Sequence, residues 1–385
     1  MKGDQKSIYM DNAATTFPKP ERVYKAVDEF MREVGGSAGR ASHWRALETG
    51  RKVYSARAAL AELLGVHDPL CIAFAKNATE AINTAIWGLL KPGDHVVTTS
   101  VEHNSVMRPL HAAGRRGISH TVVECARDGS LDAGRLEKEI RSETSLIIIN
   151  HASNVTGTIL PVADAATAAH KHGKPILVDA AQTAGRLPIN VESDGIDLLA
   201  FTGHKELFGP QGTGGLYVRE RLDLVPTSFG GTGSRSSDFE QPHDMPDRLE
   251  SGTLNSPGIA GLGAGVDFVT ETGIAAIRNH ELELMGRLLA GLAGIKGIKV
   301  YGPEDPDKRV GIVPLTFKGY WPPDAARILD SRYGIATRPG LHCSPLAHRT
   351  IGTVETGALR VSLSYLNSDD DVDYLLECLN EMMAS

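Results

Sequence analysis

Short apolar runs alternate with longer stretches of helical period along this chain. The runs His95–Thr99, Leu146–Asn150, Ile176–Asp179, Leu198–Thr202 and Gly215–Val218 predict strands. Leu146–Asn150, Ile176–Asp179 and Leu198–Thr202 are apolar up to their last residue. Helices are predicted over 42–65, opened by Ser42, over 78–90, opened by Asn77, and over 164–172. Asn77-Ala-Thr-Glu80 reads as a capping box ahead of Ile82, Ala85, Ile86 and Leu89, and Pro92-Gly93 closes that helix. Strands separated by helices predict βαβ units, hence an α/β architecture with a mostly parallel sheet. Residues 228–256, dominated by Ser, Gly, Pro and charge, read as a long ordered loop. Beyond them a helix-rich region with strands over 311–318 and 359–364 suggests a second domain.

Composition narrows the class. A chain of 385 residues allows two domains and a sizeable core. The formal charge of −7, with no basic stretch to neutralise a run of phosphates, argues against a nucleic-acid partner. No apolar run reaches the length of a membrane span, and the N-terminal residues lack the apolar core of a leader peptide. Cys71, Cys125, Cys343 and Cys378 are scattered, with no C-x-x-C pair, which fits a reducing cytoplasm and no structural metal.

Four segments follow predicted strands or open helices: Asn77–Glu80, Ser100–Ser105, His151–Gly157 and Thr202–Lys205. In an open α/β sheet such segments converge on one crevice at the carboxyl ends of the strands. Two of the strands end in chemistry, Val178-Asp179 and Thr202-Gly-His-Lys205. An acid and a lysine so placed suit pyridoxal 5'-phosphate (PLP), whose aldehyde takes the lysine amine while a carboxylate keeps the ring nitrogen protonated. The bland alternative is a buried acid and a solvated lysine in a turn. Ala78 and Thr79 open a helix whose free N–H groups suit a phosphate, or serve only as a cap. His103 is able to stack on a ring, to shuttle protons or simply to hold structure. Asn154 and Gln182 are amides able to bond a cofactor oxygen or to tie down a loop.

Cys343 lies in Arg338-Pro-Gly-Leu-His-Cys-Ser-Pro345, where two prolines and a glycine oppose a helix. It is a candidate thiolate nucleophile or an incidental thiol. A His342–Cys343 dyad is disfavoured, because neighbours in extended chain point opposite ways. A zinc site from His342, Cys343 and His348 lacks a fourth ligand. Arg338 and Arg360 are candidate clamps for a substrate carboxylate; Arg360 interrupts the apolar run Ala358-Leu-Arg-Val-Ser-Leu363.

These residues resemble the class V aminotransferase-like PLP enzymes, and within them the cysteine desulfurases related to selenocysteine lyase. The similarity runs from Tyr9-Met-Asp-Asn-Ala-Ala-Thr-Thr16 to Arg360-Val-Ser-Leu-Ser-Tyr-Leu-Asn367. It includes Asn77-Ala-Thr-Glu-Ala-Ile-Asn83, Glu102-His103, Ser153-Asn-Val-Thr-Gly157, Glu250-Ser-Gly-Thr253 and the Arg-x-Gly-x-His-Cys pattern ending at Cys343. The resemblance implies PLP fold type I: a mostly parallel seven-stranded sheet flanked by helices, and a smaller α/β C-terminal domain. The large domain would span 16–259, and the small one 1–15 with 260–385. It implies Lys205 as the Schiff-base lysine, Asp179 on the pyridine nitrogen, His103 stacked on the ring and Gln182 on the phenolic oxygen. Ala78, Thr79, Thr202 and His204 would hold the phosphate, joined by Thr253 of a second subunit in a homodimer. Asn154, Arg338 and Arg360 would orient the carboxylate of a cysteine or selenocysteine substrate, with Cys343 taking the sulfur as a persulfide. A sulfur-acceptor protein, with iron–sulfur cluster assembly downstream, is implied too. Selenocysteine lyase, cysteine-sulfinate desulfinase and class V aminotransferase are the alternatives. The stretch Leu346-Ala-His-Arg-Thr-Ile-Gly-Thr353 departs from the better-known members.

Overall fold

The computed structural model describes residues 7–38 and 42–384; Met1–Lys6, part of the segment read for a leader peptide, lie outside them. The chain runs from β1 (Ile8–Tyr9) through α1 (Glu21–Glu29) and α2 (Trp44–Leu64) into an alternating unit. That unit comprises β2 (Ile72–Ala75), α3 (Ala78–Leu89), β3 (His95–Thr99), α4 (Asn104–Gly114), β4 (Ser119–Val123), α5 (Ala133–Lys138), β5 (Thr144–Asn150), α6 (Val162–Lys171), β6 (Ile176–Asp179), β7 (Leu198–Thr202) and β8 (Gly214–Val218). Its seven strands form one sheet in the order β2-β8-β7-β6-β5-β3-β4. Only β8 runs antiparallel to its neighbours β2 and β7.

The continuous apolar strands have the expected physical cause. Along β5, Ile147 and Ile149 pack into the core on one face while Leu146 and Ile148 pack into the core on the other. β6 and β7 alternate in the same way: Val178, Leu199 and Phe201 face one side, Leu177, Leu198 and Ala200 the other. Both faces are therefore dry, as a helix-covered parallel sheet requires.

Residues 219–255 contain neither helix nor strand, in keeping with the long ordered loop. After them come α7 (Ser256–Thr272), α8 (Ile274–Ala293), β9 (Ile298–Val300), β10 (Ile312–Phe317), α9 (Pro322–Tyr333), β11 (Ile335–Ala336), β12 (Arg338–Gly340), α10 (Pro345–Ile351), β13 (Ala358–Ser362) and α11 (Asp369–Ala384). A four-stranded antiparallel sheet, β12-β13-β10-β9, shares a core with α8, α9 and α11. The first strand joins this second unit, because β1 pairs with β11 and Ile8 and Met10 enter its core. The expected boundary at 259/260 falls inside α7, a continuous helix packed on α1 and α2. Among the described residues no helix is long and apolar enough to cross a membrane.

Candidate active site

A cavity of about 240 Å³ opens where the carboxyl ends of β5, β6 and β7 meet the second unit. Asp179, the last residue of β6, stands in register between Asn150 of β5 and Ala200 of β7. Three residues beyond β7, Lys205 also lines the cavity. The turn carrying it is held from behind by the N-terminal segment. His204 O accepts from Thr16 N at 3.1 Å, Thr15 Oγ1 at 3.0 Å and Lys19 Nζ at 2.7 Å, and Lys205 O accepts from Thr16 Oγ1 at 2.9 Å.

Electrostatics makes the pair reactive. Burial pulls the Lys205 ammonium down to about 8, aided by the charges of Arg360, Arg338 and Arg186 and opposed by Asp179. Burial pushes Asp179 up, while the Ala181 N–H at 2.9 Å, Lys205 and Ser105 pull it back. The two groups thus sense each other across one site.

His103 combines two of its readings. It is the N-cap of α4: its Nδ1 accepts from Ser105 N at 3.0 Å, which places the ring hydrogen on Nε2. Burial, with the Lys205 charge, lowers it to about 4, so the ring lining the cavity is neutral. Beneath it, buried Glu102 accepts from Thr99 Oγ1 at 2.6 Å and Asn150 N at 3.0 Å. Burial raises Glu102 to about 8, so it is protonated at neutral pH.

The donor set fits PLP. Thr202 Oγ1, His204 Nδ1 and Gln182 Oε1 are buried, yet none has a partner among the described residues. Uncompensated buried polar atoms are costly, and a bound polar ligand removes that cost. Ala78 and the exposed Thr79 line the same cavity at the N-terminus of α3. There Asn77 Oδ1 caps Glu80 N at 3.0 Å, whereas Glu80 reaches back to Lys76 N and not to the cap residue. Gln182 Nε2 donates to Ala13 O at 3.1 Å.

The remaining wall of the cavity is built by β12, β13 and the turn after β12. Arg360, buried on β13, pairs with Asp11 Oδ1 at 2.7 Å and donates to Asn154 O at 3.0 Å, while its Nε has no partner among the described residues. Arg338 lines the cavity and brings Nη2 to 3.9 Å from Cys343 Sγ. Of the four cysteines only Cys343 is exposed.

Three expectations change in detail. His342 and Cys343 are not extended: both are left-handed, with φ of 50° and 57°. His342 still cannot serve as the base of Cys343, because both its ring nitrogens are engaged elsewhere, with Arg338 O at 2.9 Å and His348 Nε2 at 3.1 Å. Pro345 does not exclude a helix; it occupies the first turn of α10, where its missing N–H costs nothing. The Asn154 amide, expected on the substrate, is engaged with the cysteine turn through His342 O at 2.8 Å and Ser344 Oγ at 2.7 Å. Thr253 is exposed and lines other cavities of its own chain, away from Lys205. Asp11, Ser105 and Asn150 went unassigned; Asp11 sits inside the quoted motif, but its partner lies 349 residues away.

Residues 8–375 match the aminotransferase class-V family. A relative from Methanothermobacter thermautotrophicus named "Probable cysteine desulfurase" is 36% identical over 381 residues, covering 97% of this chain and 94% of its own. A cysteine desulfurase from Escherichia coli O127:H6 is 32% identical over 386 residues, covering 97% of this chain and 93% of its own. Among solved structures, the apo cysteine desulfurase from Thermococcus onnurineus NA1 matches with a TM-score of 0.92 at 32% identity, over 98% of this chain and 95% of that one. With its fold type I architecture and a family match running nearly end to end, this chain belongs to the aminotransferase class-V family.

Proposed function

We propose that this chain is a PLP-dependent cysteine desulfurase that converts L-cysteine to L-alanine and leaves the sulfur on Cys343 as a persulfide. The observation that carries the reading is a single cavity lined by Lys205, Asp179, Arg338 and Arg360, with the exposed Cys343 tied to its wall through Arg338. The relatives named cysteine desulfurase support it.

When bound, PLP supplies an aldehyde for amines and a ring that stores the electron pair left at the substrate Cα. Asp179 would hold the ring nitrogen, His103 the ring face, Gln182 the phenolic oxygen, and Ala78, Thr79, Thr202 and His204 the phosphate. Lys205 takes the Cα proton, for which a base must be uncharged; burial brings it far closer to that condition than an ordinary lysine. Arg360 and Arg338 receive the substrate carboxylate, with Asn154 once its amide leaves the cysteine turn. The Cys343 sulfur attacks the substrate Sγ, an S–S bond forms, the Cβ–Sγ bond breaks, and Cβ gains a proton. Cysteine plus enzyme thiol becomes alanine plus enzyme persulfide, with no external oxidant.

The exposed persulfide suits transfer to a sulfur-acceptor protein. In a homodimer, Thr253 of one subunit would complete the phosphate site of the other. A free thiol nucleophile also fits the cytoplasm. The test measures alanine and sulfide from cysteine in dithiothreitol, beside selenocysteine and cysteine sulfinate, for wild type and Cys343→Ala. Loss of sulfide only in the variant supports desulfuration. Undiminished sulfide removes the thiol role and favours a selenocysteine lyase or sulfinate desulfinase, and keto-acid formation without sulfide favours an aminotransferase.

A further inference from the structure

Behind Cys343 runs a row of buried side chains that no step above uses. Arg338 O only accepts, so His342 Nε2, at 2.9 Å, carries the ring hydrogen. Burial and the Arg360 charge keep that ring neutral, leaving Nδ1 a bare acceptor. At 3.1 Å stands His348 Nε2, which must therefore supply the hydrogen of the bond between the rings. His348 Nδ1 is then bare too and accepts from Thr353 Oγ1 at 2.8 Å. One tautomer assignment satisfies all four ring nitrogens, and the rings stack 5.2 Å apart at 22°.

The device supports a turn that needs support. Two successive non-glycine residues, His342 and Cys343, are left-handed, a conformation their side chains disfavour. Such a turn persists only where the surroundings over-determine it. Asn154 Nδ2 holds His342 O, Asn104 N holds Cys343 O at 2.8 Å, and Ser344 Oγ bonds Asn154 Oδ1. The His342 ring is held at Nε2 by Arg338 O and at Nδ1 by His348, which is fully buried on α10 and does not line the cavity.

We infer that His348 is a positioning residue for Cys343: its Nε2–H bond to His342 Nδ1 holds the turn that sets the Cys343 sulfur beside Arg338. The inference rests on the reading of Cys343 as the sulfur acceptor. His348→Phe keeps a ring and removes the donor, whereas His348→Gln retains an N–H near the position of Nε2. The holoenzymes are compared for sulfide release from cysteine in dithiothreitol and for sulfite release from cysteine sulfinate, whose C–S bond breaks without a thiol attack. His348→Phe is expected to lower sulfide release about 100-fold, as a nucleophile misplaced by an ångström does. Sulfite release stays within about twofold, and His348→Gln recovers most of the loss. Alkylation of Cys343 by iodoacetamide, mapped by peptide mass, should change in rate with the Phe variant and return with Gln. The inference is overturned by an unchanged sulfide rate, by equal losses on both substrates, or by a Gln variant no better than Phe. Wild type that releases no sulfide would instead end the desulfurase reading, and the alkylation rates would still decide whether His348 governs Cys343.

Discussion

Arg338 and Arg360 stand directly opposite each other across the antiparallel strands β12 and β13. Like charges facing each other across a sheet destabilise it, so the arrangement calls for anions. Asp11 supplies one, at 2.7 Å from Arg360, while Arg338 forms no ion pair among the described residues. One positive charge is left over at the cavity wall. In the proposed function a substrate carboxylate would complete the balance.

The free charge on Arg338 and the paired charge on Arg360 should therefore separate when Arg338 and Asp11 are mutated in turn. Arg338→Ala removes the uncompensated charge, and KM for cysteine should rise about 10- to 100-fold with unfolding stability unchanged. Asp11→Ala leaves a buried guanidinium without its carboxylate and should cost about 3 kcal/mol in urea unfolding. Equal stability loss in both variants would refute the division of roles.

Glu102 predicts a pH dependence. Burial raises it from 4.5 to about 8, so between those values the native protein keeps a proton that the unfolded chain has released. Native then binds more protons than unfolded, and stability falls as pH rises through that window. At roughly 1.4 kcal/mol per pH unit, the Glu102 contribution is on the order of 5 kcal/mol. Glu102→Gln has no proton to lose and keeps acceptors for Thr99 and Asn150. It should match wild type near pH 5 and exceed it at pH 8 in urea unfolding. Glu206, also raised by burial and by the neighbouring Glu281, preserves part of the slope in both proteins.

What the sequence made legible follows burial. The strands β3, β5, β6, β7 and β8 lie inside the large sheet, buried on both faces, and the apolar runs within β5, β6 and β7 announce them. Within that sheet the two strands that went unread, β2 and β4, are its edges; β4 carries Ser119, His120 and Thr121 and is only partly buried, and β2 is a run of four residues. The acid, the lysine and the histidine were visible because each ends a strand, follows one within three residues or caps a helix. Asp11 and His348 were not, because their roles exist only through contacts that the fold creates, with Arg360 and with Nδ1 of the His342 ring. The left-handed turn at His342 and Cys343 has no glycine to signal it.

Lysine chemistry at position 205 depends on giving up a proton, not on carrying charge. Lys205→Arg keeps a cation opposite Asp179, but guanidinium does not deprotonate near neutrality. Alanine formation should fall by about 10²- to 10⁴-fold, the usual worth of a positioned base, and Lys205→Ala should fall at least as far. A Lys205→Arg enzyme with near-wild-type alanine formation would show that another group takes the Cα proton.

The long loop over residues 219–255 is anchored by one buried ion pair. Arg57 of α2 meets Glu250 in a two-bond fork, Nη1 to Oε1 at 2.7 Å and Nη2 to Oε2 at 3.0 Å, with both side chains no more than 6% exposed. Glu250 also accepts from Phe74 N at 2.6 Å, and Arg57 donates to Ile72 O, so the fork ties the loop to β2 as well. Removing one partner strands the other charge in the interior; Arg57→Ala should cost about 3–5 kcal/mol in urea unfolding. Arg57→Met with Glu250→Leu leaves no buried charge, only the Phe74 N–H and the Ile72 carbonyl without their side-chain partners, and should cost less than Arg57→Ala alone. Thr253 follows Glu250 by three residues, so both variants should also release PLP more readily in an absorbance titration if the loop serves the neighbouring subunit. Unchanged cofactor retention in a destabilised Arg57→Ala protein would confine the fork to stability.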